Sequence, residues 1–205
     1  MQIKKKKKNL LIYDAINKLL VKNNIKAPKL YNQNYNQNYI EIEDLGKNTI
    51  FKILKKKEIN KLKNLKKIIK LLINIQKIKQ KKIKNFKNTY YKIPTYNKNI
   101  LFKESYLFLD WYVPNVISKK KILYINNELK KKIKKLLLKI KAPNNTFVHR
   151  DFHVSNLMDF KKKIAVIDSQ DALIGNKAYD LASLIDDVRF NTNKSLKNLI
   201  FYYYL

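Results

Sequence analysis

No cysteine occurs among the 205 residues. That single absence excludes disulfides, thiolate zinc sites and cysteine nucleophiles together. The two His do not make good the loss, because a typical zinc site needs more N or S ligands than they provide. Two Gly and four Pro exclude collagen-like and linker compositions. No uncharged apolar run approaches the ~18 residues of a membrane span. Lysines 4–8 lead into an apolar stretch that Asp14 soon interrupts, so a secretory signal is not expected. These absences predict a soluble protein of the cytoplasm, and 45% hydrophobic residues are enough to build a core.

Arginine is nearly absent too. Lys+Arg number 46 against 15 Asp+Glu, a net charge of +31, yet only Arg150 and Arg189 are Arg. Proteins that read nucleic acid sequence rely on the bidentate guanidinium for bases and phosphates. Lys here accompanies abundant Asn and Ile, the residues of A/T-heavy codons, so coding bias explains the charge better than polyanion binding. No specific nucleic-acid partner is expected, only weak, salt-sensitive adhesion to RNA at low ionic strength.

Along the chain, Leu11, Ile12, Ala15, Ile16, Leu19 and Leu20 recur at helical spacing and predict a helix over 9–24. Ala27-Pro28 breaks it. Residues 29–31 and 39–43 read as paired strands, with the polar micro-repeat YNQNYNQNY as an enlarged hairpin turn between them. From 47 to 84, apolar positions three to four apart predict one or two amphipathic helices with lysine on the outer face. Residues 86–98 read as a loop. A helix carrying Leu101, Ser105, Phe108, Leu109 and Tyr112 is expected to end at Pro114, with Trp111 in the core. A further helix is expected over 121–141.

Between 147 and 190 the character changes. Both His, both Arg, one of the two Gly and four of the seven Ala lie there. The segment FVHRDFHVSNLMDFKKKIAVIDSQDALIG holds two apolar strands, each delivering an Asp: Asp151 after a short turn and Asp168 directly. Asn156 follows Asp151 by five residues and precedes Asp168 by twelve. Phosphoryl transfer asks a protein for a positioned base and for oxygen ligands to a metal that neutralises the phosphates. A carboxylate, an amide oxygen and a second carboxylate are such a set, suited to Mg²⁺, a hard cation. H-R-D-x-x-x-x-N followed by a strand and Asp is the arrangement of kinase catalytic loops. Taken singly, Asp151 reads as a helix N-cap, Asp168 as a strand-end carboxylate, and His153 as a structural histidine. Asp186 and Asp187 read as a helix end or surface pair.

HRDFHVSNLM followed by IAVIDSQDALIGNKAYDLASLIDD resembles the aminoglycoside phosphotransferase/choline kinase family, and within it the bacterial N-acetylmuramate/N-acetylglucosamine anomeric kinase-like group. IEIEDLG resembles the family's hinge strand, and PTYNKNILFKESYLFLDWYV its E-x-x-L-F-x-x-W helix. The resemblance implies an α+β, protein-kinase-like fold. Residues 1–45 would be a partial small lobe with a remnant hairpin, and 46–205 a mainly helical lobe with its catalytic loop at 147–170. It implies an ATP-dependent kinase acting on a hydroxyl of a sugar or amino sugar, with ATP and Mg²⁺ as cofactors. Asp151 would be the base, Asp168 the principal metal ligand, and Asn156 a metal or phosphate ligand. The backbone of Glu43, Asp44 and Leu45 would meet adenine. His149 and Asp180 would brace the loop, while Glu104 and His153 would face the acceptor.

Three departures from the family pattern stand out. Ser169 replaces a Phe, which predicts looser packing behind Asp168. A Gly-rich phosphate loop and its strand lysine are missing, and lysines 4–8 lack the apolar strand context to replace them. Helices expected after Arg189 are missing as well. The chain reads as a kinase core shortened at both ends, expected to bind nucleotide with little turnover. Two alternatives stay open: an impaired fragment or pseudokinase, and a basic protein binding RNA or membrane surfaces.

Overall fold

The computed structural model describes residues 2–56, 60–190 and 192–205, with side chains from residue 9 onward; the expectation concerning lysines 4–8 lies outside the described side chains. The chain forms two compact units, residues 1–94 with 145–205, and Thr95–Asn144.

In the first unit, α1 (Gln2–Lys22) buries Ala15, Ile16, Leu19 and Leu20 completely. It ends where Asn24 takes the left-handed conformation (φ 61°), which an asparagine adopts more readily than most residues. Strands β1 (Leu30–Asn34) and β2 (Tyr39–Ile42) pair antiparallel, Leu30 with Ile42 and Asn34 with Tyr39. The polar micro-repeat thus divides between strand and turn. Its side chains stitch the turn: Gln37 N–H donates to Asn34 Oδ1 (3.0 Å), and Asn34 Nδ2 donates to Gln37 Oε1 (2.8 Å).

Thr49 and Asn60 cap the next two helices, α2 (Ile50–Leu54) and α3 (Lys61–Gln76). Leu65, Ile68, Ile69, Leu72 and Ile75 make the buried stripe of α3, and lysines take the opposite face. The helical stretch expected to reach residue 84 ends at Gln76, and residues 82–84, expected as helix, pair with 90–92, expected as loop, in a second hairpin, β3 (Lys82–Lys84) with β4 (Tyr90–Lys92). Its cause is local: buried Asn85 accepts from the backbone N–H of Lys87 (2.9 Å) and donates to Thr89 Oγ1 (2.8 Å), an Asx-type turn that period counting does not register.

After residue 145 the same unit continues with β5 (Thr146–Val148), β6 (Leu157–Phe160), β7 (Lys163–Val166) and β8 (Leu173–Gly175). β5 pairs with β8, and β6 with β7. Helices α7 (Ala178–Ile185) and α8 (Lys194–Tyr204) follow. One helix therefore does lie beyond Arg189, where the sequence predicts none. Ile16, Leu19, Leu54, Ile68, Leu72, Phe147, Phe152 and Leu157 share one buried cluster, so the helices rest directly on the segment 147–157.

In the second unit, α4 (Lys98–Leu107) runs through a π-helical turn, Phe108–Tyr112, into α5 (Val113–Val116), then α6 (Lys119–Leu138). Pro114 does not stop the helix as expected. It follows directly on the π turn, and the chain stays helical through it to Val116. Trp111 is 74% exposed rather than a core residue, since the wider π turn rotates it off the buried face marked by Leu109.

Candidate active site

Hairpin register places the first two residues. β6 and β7 pair Leu157 with Val166, so Asn156 and the Ile167–Asp168 step fall side by side at the open end. Ile167 N–H donates to the Asn156 carbonyl (3.1 Å) and extends that pairing by one step. At the closed end, Lys161 (φ 48°) and Lys162 (φ 66°) form a two-residue turn of left-handed residues, the geometry whose twist matches that of the flanking strands. Asp168 is itself left-handed (φ 62°), which turns the chain sharply out of β7.

The loop after β5 is tied to that hairpin. Asn156 Nδ2 donates to the Asp151 carbonyl (3.1 Å), His153 N–H to the same carbonyl (3.0 Å), and Asn156 N–H to the His153 carbonyl (2.9 Å). That bond commits the amide nitrogen of Asn156 and leaves its carbonyl oxygen for another partner. Asp151 is half-buried. Burial raises its pKa, with His153 and Arg150 lowering it and the charges of Asp168 and Asp171 raising it further.

Beneath the loop lies Asp180, the first acid of α7 and fully buried. Its Oδ2 accepts from His149 N–H (2.8 Å) and its Oδ1 from Arg150 N–H (3.0 Å). These bonds hold Arg150 in the left-handed region (φ 76°), where a β-carbon is disfavoured. Burial outweighs the two bonds and pushes the Asp180 pKa up to about 7. His149 is also fully buried, edge-on to Phe152 at 6.3 Å between ring centroids, and burial lowers its pKa to about 4.

Glu43, Asp44, Leu45, Asn156 and Asp168 line one cleft of about 550 Å³, together with Tyr13, Gly46 and Met158. Lys26 holds the Glu43 carboxylate, and Asp44 Oδ1 accepts from Gly46 N–H (2.7 Å). Gly46 has φ +78°, the conformation that turns the chain away after Leu45. Leu45 is buried against Met158 and Ala165. Among the described residues, the Glu43 carbonyl and the Leu45 N–H take no hydrogen-bond partner.

His153 is half-buried beside Asp151. Burial and the charge of Arg189 lower its pKa, with Asp187, Asp151 and Asp168 raising it. Asp187 is not a surface residue: it is 6% exposed, and its Oδ1 accepts from the Arg189 backbone N–H (2.9 Å). The two adjacent acids read alike in the sequence, but Asp186 caps α7 in solvent while Asp187 folds inward. Glu104 belongs to the second unit, on α4, where it accepts from the Tyr96 hydroxyl.

Ser169 does not loosen the packing behind Asp168. It is fully buried and donates to Asn17 Oδ1 on α1 (2.7 Å). Tyr13 and Asn17 are functional-site neighbours that the apolar period of α1 does not reveal, although a Tyr and an Asn four residues apart on an otherwise apolar helix face are a readable signal. Replacing Ser169 by Ala leaves the buried Asn17 oxygen without that donor and is expected to destabilise the fold by about 1–3 kcal/mol, read as a lower urea midpoint. Adding Asn17→Leu to that variant is expected to recover most of the loss, because both polar partners are then gone.

Residues 106–204 match the phosphotransferase enzyme family (APH). That match spans just under half of the chain. A 52-residue stretch of the chain, 25% of its length, is 48% identical to N-acetylmuramate/N-acetylglucosamine kinase of Neisseria meningitidis and covers 16% of that enzyme. Among solved structures, the aminoglycoside phosphotransferase APH(2'')-IIa in its gentamicin complex superimposes with a TM-score of 0.62 at 16% identity, covering 91% of this chain and 62% of that one. Choline kinase from Cryptosporidium parvum gives 0.57 at 18% identity, covering 96% and 60%. AMP-bound spectinomycin phosphotransferase gives 0.56 at 18%, covering 93% and 65%. The chain therefore has the protein-kinase-like fold of these phosphotransferases and spans less than two thirds of the length of each. Among the described residues no helix is long and apolar enough to cross a membrane.

Proposed function

We propose that this phosphotransferase-family chain is a small-molecule kinase that transfers the γ-phosphate of ATP to a hydroxyl group of a sugar or amino sugar in the cytoplasm. The observation that carries the reading is the open end of the β6–β7 hairpin. There Asn156 and Asp168 stand side by side in the cleft lined by Glu43 to Leu45, with Asp151 tied to Asn156. The sugar class is supported by the partial likeness to the Neisseria kinase and by nothing finer.

In this reading Asp151 accepts the proton of the acceptor hydroxyl, and burial makes its carboxylate the more basic for that task. The free Glu43 carbonyl and Leu45 N–H offer an acceptor and a donor to the edge of adenine; Asp44 between them shapes the segment through its bond to Gly46. His149 and Asp180 position the loop from below, and His153 serves the acceptor side. Residues 1–45 then correspond to a partial small lobe and 46–205 to the larger one.

The donor set suits Mg²⁺. Among the described residues no cluster of three His, Cys, Asp or Glu could hold a metal by itself. An exposed carboxylate and an amide side chain in one cleft match an ion that takes one or two protein oxygens and completes its shell with water and substrate phosphates. Bound by Asp168 and Asn156, the ion would supply charge neutralisation at the phosphates.

A second reading is a remnant that binds nucleotide without transferring phosphate. Transfer of label from γ-labelled ATP to a panel of N-acetylhexosamines and aminoglycosides separates the two. Mg²⁺-dependent label on a hydroxyl supports the kinase; Mg²⁺-dependent nucleotide binding with no labelled acceptor supports the remnant.

A further inference from the structure

Away from the cleft just described, the first unit carries a groove of about 950 Å³, walled by α3 on one side and by the turn of the β6–β7 hairpin on the other. Lys63, Lys67 and Lys70 fall at i, i+4 and i+7 of α3, on the face opposite its buried stripe, and mark out about 10 Å of helix. Lys162 and Lys163 supply the facing wall. All five are exposed, and among the described residues none of them is in an ion pair. Asp159 is the one acid in the lining. Lys162 also holds the left-handed region (φ 66°), where Gly or Asn is the usual residue of such a turn.

Unpaired charges on two facing walls repel one another, and a chain of anions laid between them relieves that repulsion. A membrane presents its charge on a plane, so its headgroups meet the rim of a groove and not its walls. A single polynucleotide strand carries one charge per residue on a flexible backbone and can enter. The asparagines of the α3 wall, Asn64 and Asn74, can hydrogen-bond ribose hydroxyls and phosphates. No aromatic side chain lines the groove, so nothing in it stacks on bases, and binding would follow the backbone without regard to sequence. We infer that this lysine-walled groove between α3 and the β6–β7 turn binds the sugar-phosphate backbone of single-stranded RNA.

The test is anisotropy of a fluorescein-labelled oligouridylate titrated with the full chain between ~50 and ~200 mM KCl, the range over which phosphate contacts lose most affinity. Five lysine–phosphate contacts give an expected slope of log K against log salt of about −3.5. The triple variant Lys63→Gln, Lys67→Gln, Lys70→Gln is expected to bind at least ~10-fold more weakly, with a slope of about −1.4. Lys162→Gln with Lys163→Gln, on the other wall, is expected to give about −2.1. Removing the same charge from α6, with Lys132→Gln, Lys134→Gln and Lys135→Gln, is expected to leave affinity within about twofold and the slope unchanged. Equal weakening by the α6 triple overturns the inference in favour of general charge. It is overturned as well if the groove variants bind as the wild type does. A third overturning result is binding to phosphatidylserine vesicles, lost in the α3 triple, with no binding to the oligonucleotide.

Discussion

Asp151→Asn is expected to lower phosphate transfer by about 10²- to 10⁴-fold, the usual contribution of a positioned general base, while leaving nucleotide affinity within about twofold. The separation follows from the geometry. The Asp151 carbonyl, not its carboxylate, receives the Asn156 and His153 donors, so the loop keeps its shape when the side chain loses its charge. Asp151 is absent from the lining of the cleft that holds Glu43 to Leu45, so nucleotide binding at that proposed site is expected to be undisturbed. Steady-state rates and binding titrations on the same preparation check the prediction. Unchanged turnover would remove Asp151 from the role of base.

A second large effect is expected at Asp180, on stability. Asp180→Ala strips the acceptor from the His149 and Arg150 N–H groups and is expected to cost about 2–5 kcal/mol. The loss depends on pH. Asp180 has a folded pKa of about 7, above its ordinary 3.8, so its contribution is fully present below pH 3.8 and fades as pH rises through 7. His149 works in the opposite sense: its folded value of about 4 lies below 6.5, so its contribution holds above pH 6.5 and is lost as pH falls through 4. In the wild type the two slopes oppose each other over their shared window. Removing Asp180 exposes the histidine slope alone, so the penalty of the variant is expected to be larger near pH 4.5 than near pH 7, by about 3 kcal/mol. Urea denaturation of both proteins at the two pH values measures it. A penalty equal at both, or larger at neutral pH, would mean that Asp180 is ionised in the fold.

The strands and turn that carry Asp151, Asn156 and Asp168 were legible because their signal is local. Asp151, Asn156 and Asp168 lie within one hairpin's length of each other, and the strands that carry them are short apolar runs with a clear turn between them. The lysine-backed helix α3 was legible for the same reason, since one stripe repeats through five buried positions. Features set by distant contacts were not. Ser169 and Asn17 lie 152 residues apart, and no window along the chain contains both. Asp186 and Asp187 have identical chemistry and adjacent positions, and only the exit from α7 decides which one is buried. Trp111 and Pro114 were misplaced because a five-residue π turn shifts the phase of the helix, and a count made at 3.6 residues per turn carries the wrong face forward. The β3–β4 hairpin escaped notice because one asparagine side chain, and not an apolar pattern, organises its turn.

The account rests on Asp168 and Asn156 forming a metal-assisted nucleotide site in the cleft beside Glu43 to Leu45. Calorimetric titration of the full chain with a non-hydrolysable ATP analogue, with Mg²⁺ and then with EDTA, tests it most directly when run on the wild type and on Asp168→Ala. The predicted result is binding that Mg²⁺ strengthens at least ~10-fold in the wild type and does not affect in Asp168→Ala, because one carboxylate and the nucleotide phosphates complete the ion's shell together. Binding that is equally tight in EDTA, or a Mg²⁺ dependence that survives Asp168→Ala, would contradict it.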